Sequence, residues 1–153
     1  MTAPAPVASF RFRVEVVARG PRGGGGRSVE IDVSEVRLPP FRRRPDPTRE
    51  PRETPSPRRA TETSANLILR RGHTGSTEFY DWWREENDSK RRTRRDVIVT
   101  VLNEDGKPMT RWSFDECRLE SFEYSPLDAL DSAVLMETAE ISFERATQEQ
   151  RSR

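Results

Sequence analysis

Residues 67–83 read LILRRGHTGSTEFYDWW, and the reading of this stretch decides the fold. The apolar run at its start predicts a strand over 65–71. Gly72 and Gly75 bracket a turn. Ser76 or Thr77 then supplies an N-cap for a helix that ends at Asn87 and Asp88. In that helix Phe79, Trp82, Trp83 and Glu86 fall at i, i+3, i+4 and i+7. The three aromatics form one apolar face, which is read as core in preference to a ligand-stacking surface.

Working outward, residues 94–114 read RRDVIVTVLNEDGKPMTRWSF. Residues 97–102 are apolar on both faces, as a central strand requires. Asp105-Gly106 makes the turn within 103–108, and 109–114 returns with Trp112 and Phe114 on one face. The predicted core aromatics are therefore Phe79, Trp82, Trp83, Trp112 and Phe114. Further strands are expected at 119–124 and 133–143, the latter with Ala139, Ile141 and Phe143 on a shared face. On the N-terminal side, Phe10, Phe12, Val14 and Val16 alternate with Arg11, Arg13 and Glu15. Val29, Ile31 and Val33 alternate with Glu30 and Asp32. The two runs suggest a hairpin joined by a flexible Gly-rich loop at 20–27. The result is a compact β-rich module with one packed helix.

The totals set bounds on this module. Its 153 residues fit one domain, expected over 1–147, with a frayed polar tail at 148–153. Only 32% of residues are apolar and 35% are charged, so the core must be thin. A near balance of 27 basic and 26 acidic residues gives no overall field to draw in nucleic acid. A single cysteine, Cys117, rules out an internal disulfide framework and suits a reducing compartment. No apolar run nears the roughly 20 residues of a membrane span, and no secretory signal is visible, so a cytoplasmic product is expected and membrane insertion is not.

Residues 42–64 differ in kind. They hold seven arginines, four acidic residues and five prolines, and nothing aliphatic or aromatic larger than Ala60. Such a segment cannot bury enough apolar surface to offset its ordering entropy. It reads as an excursion from the domain, either a solvated linker or a partner-binding loop. The arginines here and at 91–95 raise a nucleic-acid-binding module as the alternative function. Interleaved acidic residues and the absence of a stacking aromatic set favour protein contacts.

A search for reactive chemistry yields little. His73 lies in a glycine turn and reads as a solvated loop residue, and Cys117 reads as a small buried hydrophobe. One His and one Cys do not make a zinc set, and 20–26, GPRGGGG, lacks the Lys and Ser/Thr of a phosphate-binding loop. No metal, cofactor or catalytic residue is expected.

Three blocks, in order, carry a family resemblance. NLILRRGHTGSTEFYDWW (66–83) resembles the N-x-x-L-K-R-G segment and short aromatic helix of contractile-phage tail tube proteins. Residues 94–114 are similar to that family's basic start, alternating strand, D-x-x-G-x-P turn and R-W return. ALDSAVLMETAEISFE (129–144) resembles its closing strand. The resemblance implies a β-barrel or β-sandwich of antiparallel strands with one flanking helix. It also implies a non-enzymatic subunit of the inner tube of a phage tail or extracellular contractile injection system. Subunits of this kind form hexameric rings that stack inside a sheath. Neighbouring tube subunits, sheath and baseplate proteins would be partners and cargo would pass through the lumen. Assembly would occur in the bacterial cytoplasm. Where the family has Ser-Gly-Leu after the second strand, this chain has Ser34-Glu35-Val36-Arg37-Leu38-Pro39-Pro40. Main subunit and minor, baseplate-proximal subunit both remain open. In the family the following loop contacts the neighbouring ring, which makes Arg42, Arg43, Arg44, Arg49, Arg52, Arg58 and Arg59 the ring-stacking candidates.

Overall fold

The computed structural model describes residues 11–19, 26–43, 65–88 and 94–150. They form eight strands and one helix. In chain order these are β1 (Phe12–Arg19), β2 (Arg27–Ile31), β3 (Glu35–Arg37), β4 (Leu67–Gly72), α1 (Glu78–Asn87), β5 (Arg94–Leu102), β6 (Pro108–Tyr124), β7 (Met136–Ser142) and β8 (Arg145–Gln150). Every pairing is antiparallel. The strand order is β2-β1-β5-β6-β7-β4-β3, with β8 also paired to β6.

The expected β1–β2 hairpin is present, with Val14 opposite Ile31 and Val16 opposite Val29. Gly26 lies against the β1 backbone. A Cβ on Gly26 would lie 1.9 Å from the Ala18 carbonyl oxygen, so only glycine fits there. β5 sits centrally between β1 and β6, as its two apolar faces require. The 103–108 turn closes on the Asn103 side chain, whose Oδ1 accepts from the Asp105 and Lys107 amides, and Gly106 takes φ +77°.

Strand β6 organises the molecule. Its first half pairs with β5 on one side and β8 on the other, and its second half pairs with β7. The sequence suggests two strands here, 109–114 and 119–124. The chain instead makes one strand of 17 residues with three irregularities, the first beside the 103–108 turn, where one step on β5, Val101 to Leu102, faces two on β6, Thr110 to Pro108. Between Arg95 and Val97, a two-residue step on β5 faces a three-residue step on β6, Phe114 to Cys117. Between Ile141 and Glu140, one step on β7 faces two on β6, Leu119 to Ser121. These are β-bulges, which bend a strand and shift its phase. Phe114 and Cys117 are three residues apart, so a regular strand would place them on opposite faces. Here both are buried. Glu116 takes the left-handed conformation, φ 54°, and its backbone N–H donates to Asp96 Oδ1 at 3.1 Å. The buried Asp96 carboxylate thus satisfies an amide that the bulge removes from the ladder. Its other oxygen lies 2.6 Å from Arg19 Nε.

The bends bring the β2-β1-β5-β6-β8 half and the β6-β7-β4-β3 half around one core. Val14, Val97, Val99 and Phe114 meet Leu67, Leu69, Ala139 and Ile141 in a single cluster, with Phe79 and Trp82 of α1. Thr77 is the N-cap, though its hydroxyl donates to Asp81 Oδ2 and not to the helix backbone. Glu78 and Asp81 complement the positive helix start.

Two expectations need correction and one strand is added. Trp83 is 42% exposed, so the helix buries only Phe79 and Trp82. A ten-residue helix crossing a β-sheet presents a stripe narrower than the i, i+3, i+4 triad. Residues 148–150 are not a frayed tail, because β8 runs through them against Thr110–Trp112 of β6. β3 is an additional strand, paired through Val36 to Leu69. The rest of the Gly-rich loop, Phe10, residues 44–64 and residues 151–153 lie outside the described residues. No described helix is long and apolar enough to cross a membrane.

Candidate assembly interface

A buried ion pair joins β4 to β7. β4 and β7 place Arg71 directly opposite Glu137, both buried. Arg71 Nε donates to Glu137 Oε2 at 2.7 Å, and its Nη2 donates to Glu78 Oε2 at 3.1 Å. His73 Nδ1 lies 2.7 Å from the other Glu137 oxygen. The Arg71 guanidinium also stacks 4.3 Å over Phe79. Burial opposes ionisation of Glu78, but hydrogen bonds from its own backbone and from Ser76, with Arg71 nearby, hold its carboxyl below the ordinary range. His73 is therefore part of an ion network that ties the β4–α1 turn to β7.

Cys117 is buried, and its thiol donates to the Phe114 carbonyl at 3.2 Å. Burial pushes the thiol up to about 12, assisted by the Asp96 and Asp115 carboxylates. At pH 8 it stays protonated. An aromatic disulfide reagent should leave native protein unlabelled and titrate one thiol after unfolding. Rapid labelling of native protein would contradict this placement. Among the described residues, no three His, Cys, Asp or Glu side chains gather as a metal site.

The arginines at the start of β5 are neutralised internally. Arg94 pairs with Glu116 and Arg95 with Glu85, and Arg95 also lies over the Trp82 ring. They line a cleft of about 550 Å³ whose rim includes Glu86, Glu120 and Glu144. This mixed-charge surface has no basic stripe of the kind that tracks a phosphate backbone. Of the ring-stacking candidates, Arg42 and Arg43 are described and exposed. Arg44, Arg49, Arg52, Arg58 and Arg59 lie outside the described residues.

The outside of the molecule is less settled than the inside. Among the described residues, β2 and β8 are open edges at opposite sides of the five-strand half, and β3 is the open edge of the other half. Exposed strand edges solicit further strands. Large apolar side chains also stand in water: Leu127 is 86% exposed, Leu130 98% and Phe41 63%. The sequence had pointed to the arginines only. The leucines escaped notice because a loop carries no periodicity to make them conspicuous.

This fold has known counterparts. Residues 8–147 match the family described as T4-like virus tail tube protein gp19. The chain belongs to the tail tube protein family. A chain of the extracellular contractile injection system PVC sheath/tube terminator in the extended state superposes with a TM-score of 0.71 at 17% identity, covering 97% of this chain and 99% of that one. A chain of the anti-feeding prophage baseplate gives 0.65 at 18% identity over 98% of each chain. A chain of the PVC sheath-tube complex gives 0.64 at 17%, over 95% of this chain and 93% of that one. At these identities the likeness is one of fold. No curated protein matches the chain.

Family membership gives the open edges and bare leucines a meaning. A tail tube protein is a structural tube subunit, and its surfaces are incomplete until other subunits cover them. The expected antiparallel β-fold with a flanking helix is the fold observed.

Proposed function

We propose that this chain builds the inner tube of a contractile particle, as hexameric rings that stack inside a sheath. The observation that carries this reading is the pair of open edges, β2 and β8. Neighbouring strands of the β2-β1-β5-β6-β8 half alternate in direction, so β2 and β8 run the same way. A rotation that sets β2 of one copy against β8 of the next repeats identically around a ring. The junction is a parallel pair, and closure leaves no edge in that half exposed.

The solved relatives come from a baseplate, a sheath–tube complex and a tube terminator, which supports sheath and baseplate proteins as partners. The departure at 34–40 from the family's Ser-Gly-Leu favours a minor or baseplate-proximal position. Assembly in the bacterial cytoplasm, passage of cargo through the lumen and the absence of any enzymatic role belong to the same reading. The sequestered, protonated Cys117 and the contact that holds His73 Nδ1 against Glu137 support the last of these.

Negative-stain microscopy of the purified full chain tests the proposal. Rings or tubes about 10 nm wide, a few domain diameters across, are expected. A solitary 17.7 kDa species at high concentration in low and moderate salt would overturn it. The arginine segment gives a second test. Arg37 and Ile68 are paired, so the chain between β3 and β4 returns to its starting point. Replacing 44–64 with a short Gly-Ser linker should leave the melting temperature nearly unchanged, since loop-length costs are slight. It should leave rings that fail to stack. Full-length tubes from this variant would remove the segment from the stacking interface.

A further inference from the structure

The connection between β6 and β7, residues 125–135, reads SPLDALDSAVL. It is a built loop. The Ser125 amide donates to the Met136 carbonyl, and the Met136 amide to the Ser125 hydroxyl, each at 2.8 Å. The His73 amide donates to the Leu135 carbonyl at 2.8 Å. Asp128 Oδ1 accepts from the Leu130 amide and Asp131 Oδ1 from the Ala133 amide, each closing a local turn. These bonds fix a backbone that holds Leu127, Leu130 and Val134 out in water, with two carboxylates beside them. Neither turn geometry nor burial within the subunit accounts for leucines at such positions. An ordered loop with bare apolar side chains is ready to be covered.

A complementary segment lies at the other end of the same half. After β3, Pro39 is buried and anchors the chain. Leu38, Phe41, Arg42 and Arg43 around it are exposed. The register fixes the two positions. Arg37 faces Ile68, so residues 38–43 run out beyond the first residue of β4. Gly72 faces Met136, so residues 125–135 sit beyond its last. A six-residue strand, roughly 20 Å, separates the patches, and they cannot meet within one subunit. One is apolar with acids, the other apolar with arginines.

We propose that the 125–135 loop of one copy docks on the 38–43 segment of the copy stacked beyond it. Leu127 and Leu130 pack against Phe41 and Leu38, and Asp128 and Asp131 face Arg42 and Arg43. The contact joins two different patches at opposite ends of the subunit, so it propagates along a line without closing, as the axial joint of a tube must. It rests on the tube-subunit reading above and specifies the surface that meets the arginine segment. A ring would repeat the joint once per subunit, so each copy need be only weakly adhesive.

Two full-length variants test it. Leu127→Asp combined with Leu130→Asp alters only side chains already in water. The expected result is an unchanged melting temperature, with rings in place of tubes under the microscope. Leu130→Cys combined with Phe41→Cys should give a ladder of covalent oligomers on mild oxidation of tubes, and none from dispersed rings. The buried Cys117 adds no background. Tubes of normal length from the aspartate variant, or no ladder from tubes of the cysteine variant, would overturn the joint and leave the tube reading standing. Loss of rings along with tubes, or a ladder from isolated rings, would assign the loop to contacts within a ring and also overturn it. So would normal tubes that fail only to recruit sheath. Failure of the unaltered chain to form rings or tubes would instead overturn the tube reading itself.

Discussion

Glu137→Ala is expected to cost about 3–5 kcal/mol of folding stability, because it strands the Arg71 charge in the interior. Arg71 and Glu137 are opposed across β4 and β7, both buried, with Nε and Oε2 2.7 Å apart. The remaining partner of Arg71, Glu78, is nearly half exposed and cannot replace a carboxylate in the core. His73 loses its partner in the same step. For a chain of this length, each kcal/mol lowers the melting point by roughly 2–4 °C, so thermal or urea denaturation reads the effect easily. A second variant separates charge from packing. Arg71→Met combined with Glu137→Leu replaces the ion pair with apolar groups of similar size and should recover most of the loss. If Glu137→Ala melts with the unaltered protein, the network is not what holds β4 to β7.

Trp82→Ala should be comparably severe, at about 3–5 kcal/mol. The ring is 2% exposed, belongs to the central cluster and has Arg95 over one face. Its indole N–H donates to Glu86 at 3.0 Å. Removing it opens a cavity between α1 and the sheet, which a helix held by one packed stripe cannot close. Trp83→Ala, one residue along, should cost under about 1 kcal/mol. A reversed order of the two effects in urea denaturation would mean that the helix is turned about its axis from the orientation described.

The contrast between these tryptophans shows where sequence reading stops. Periodicity places a helix face to within about one residue, since successive side chains are 100° apart and a triad at i, i+3, i+4 is wider than the contact. The sheet around the helix decides which members count. β1 was legible because Phe12, Val14 and Val16 alternate with Arg11, Arg13 and Glu15, and β5 because residues 97–102 are apolar on both faces. The Asn103 to Pro108 turn announces itself through Asp105-Gly106. β3 has three residues and β8 reads Arg-Ala-Thr-Gln-Glu-Gln. Neither offers an apolar rhythm, and both form because a partner strand supplies the ladder. The unity of β6 was hidden for a related reason. Asp115, Glu116 and Arg118 interrupt the pattern, and a bulge that shifts phase looks in sequence like the end of a strand.

The assembly surfaces divide in the same way. Arginine density drew attention to 42–64 by composition alone. The acidic, leucine-bearing loop at 125–135 became visible only when its side chains were found outside the core. Exposure is a property of the whole fold, and no local window of residues encodes it.

The shared strand β6 has a consequence for how the subunit fails. A two-layer protein can part along its seam, shedding one layer while the other persists. This molecule has no seam to open, because one unbroken backbone is a rung-bearing member of both layers. Loosening either side pulls directly on the other, and damage anywhere is felt everywhere at once. Such a part holds its shape under load until it gives way as a whole.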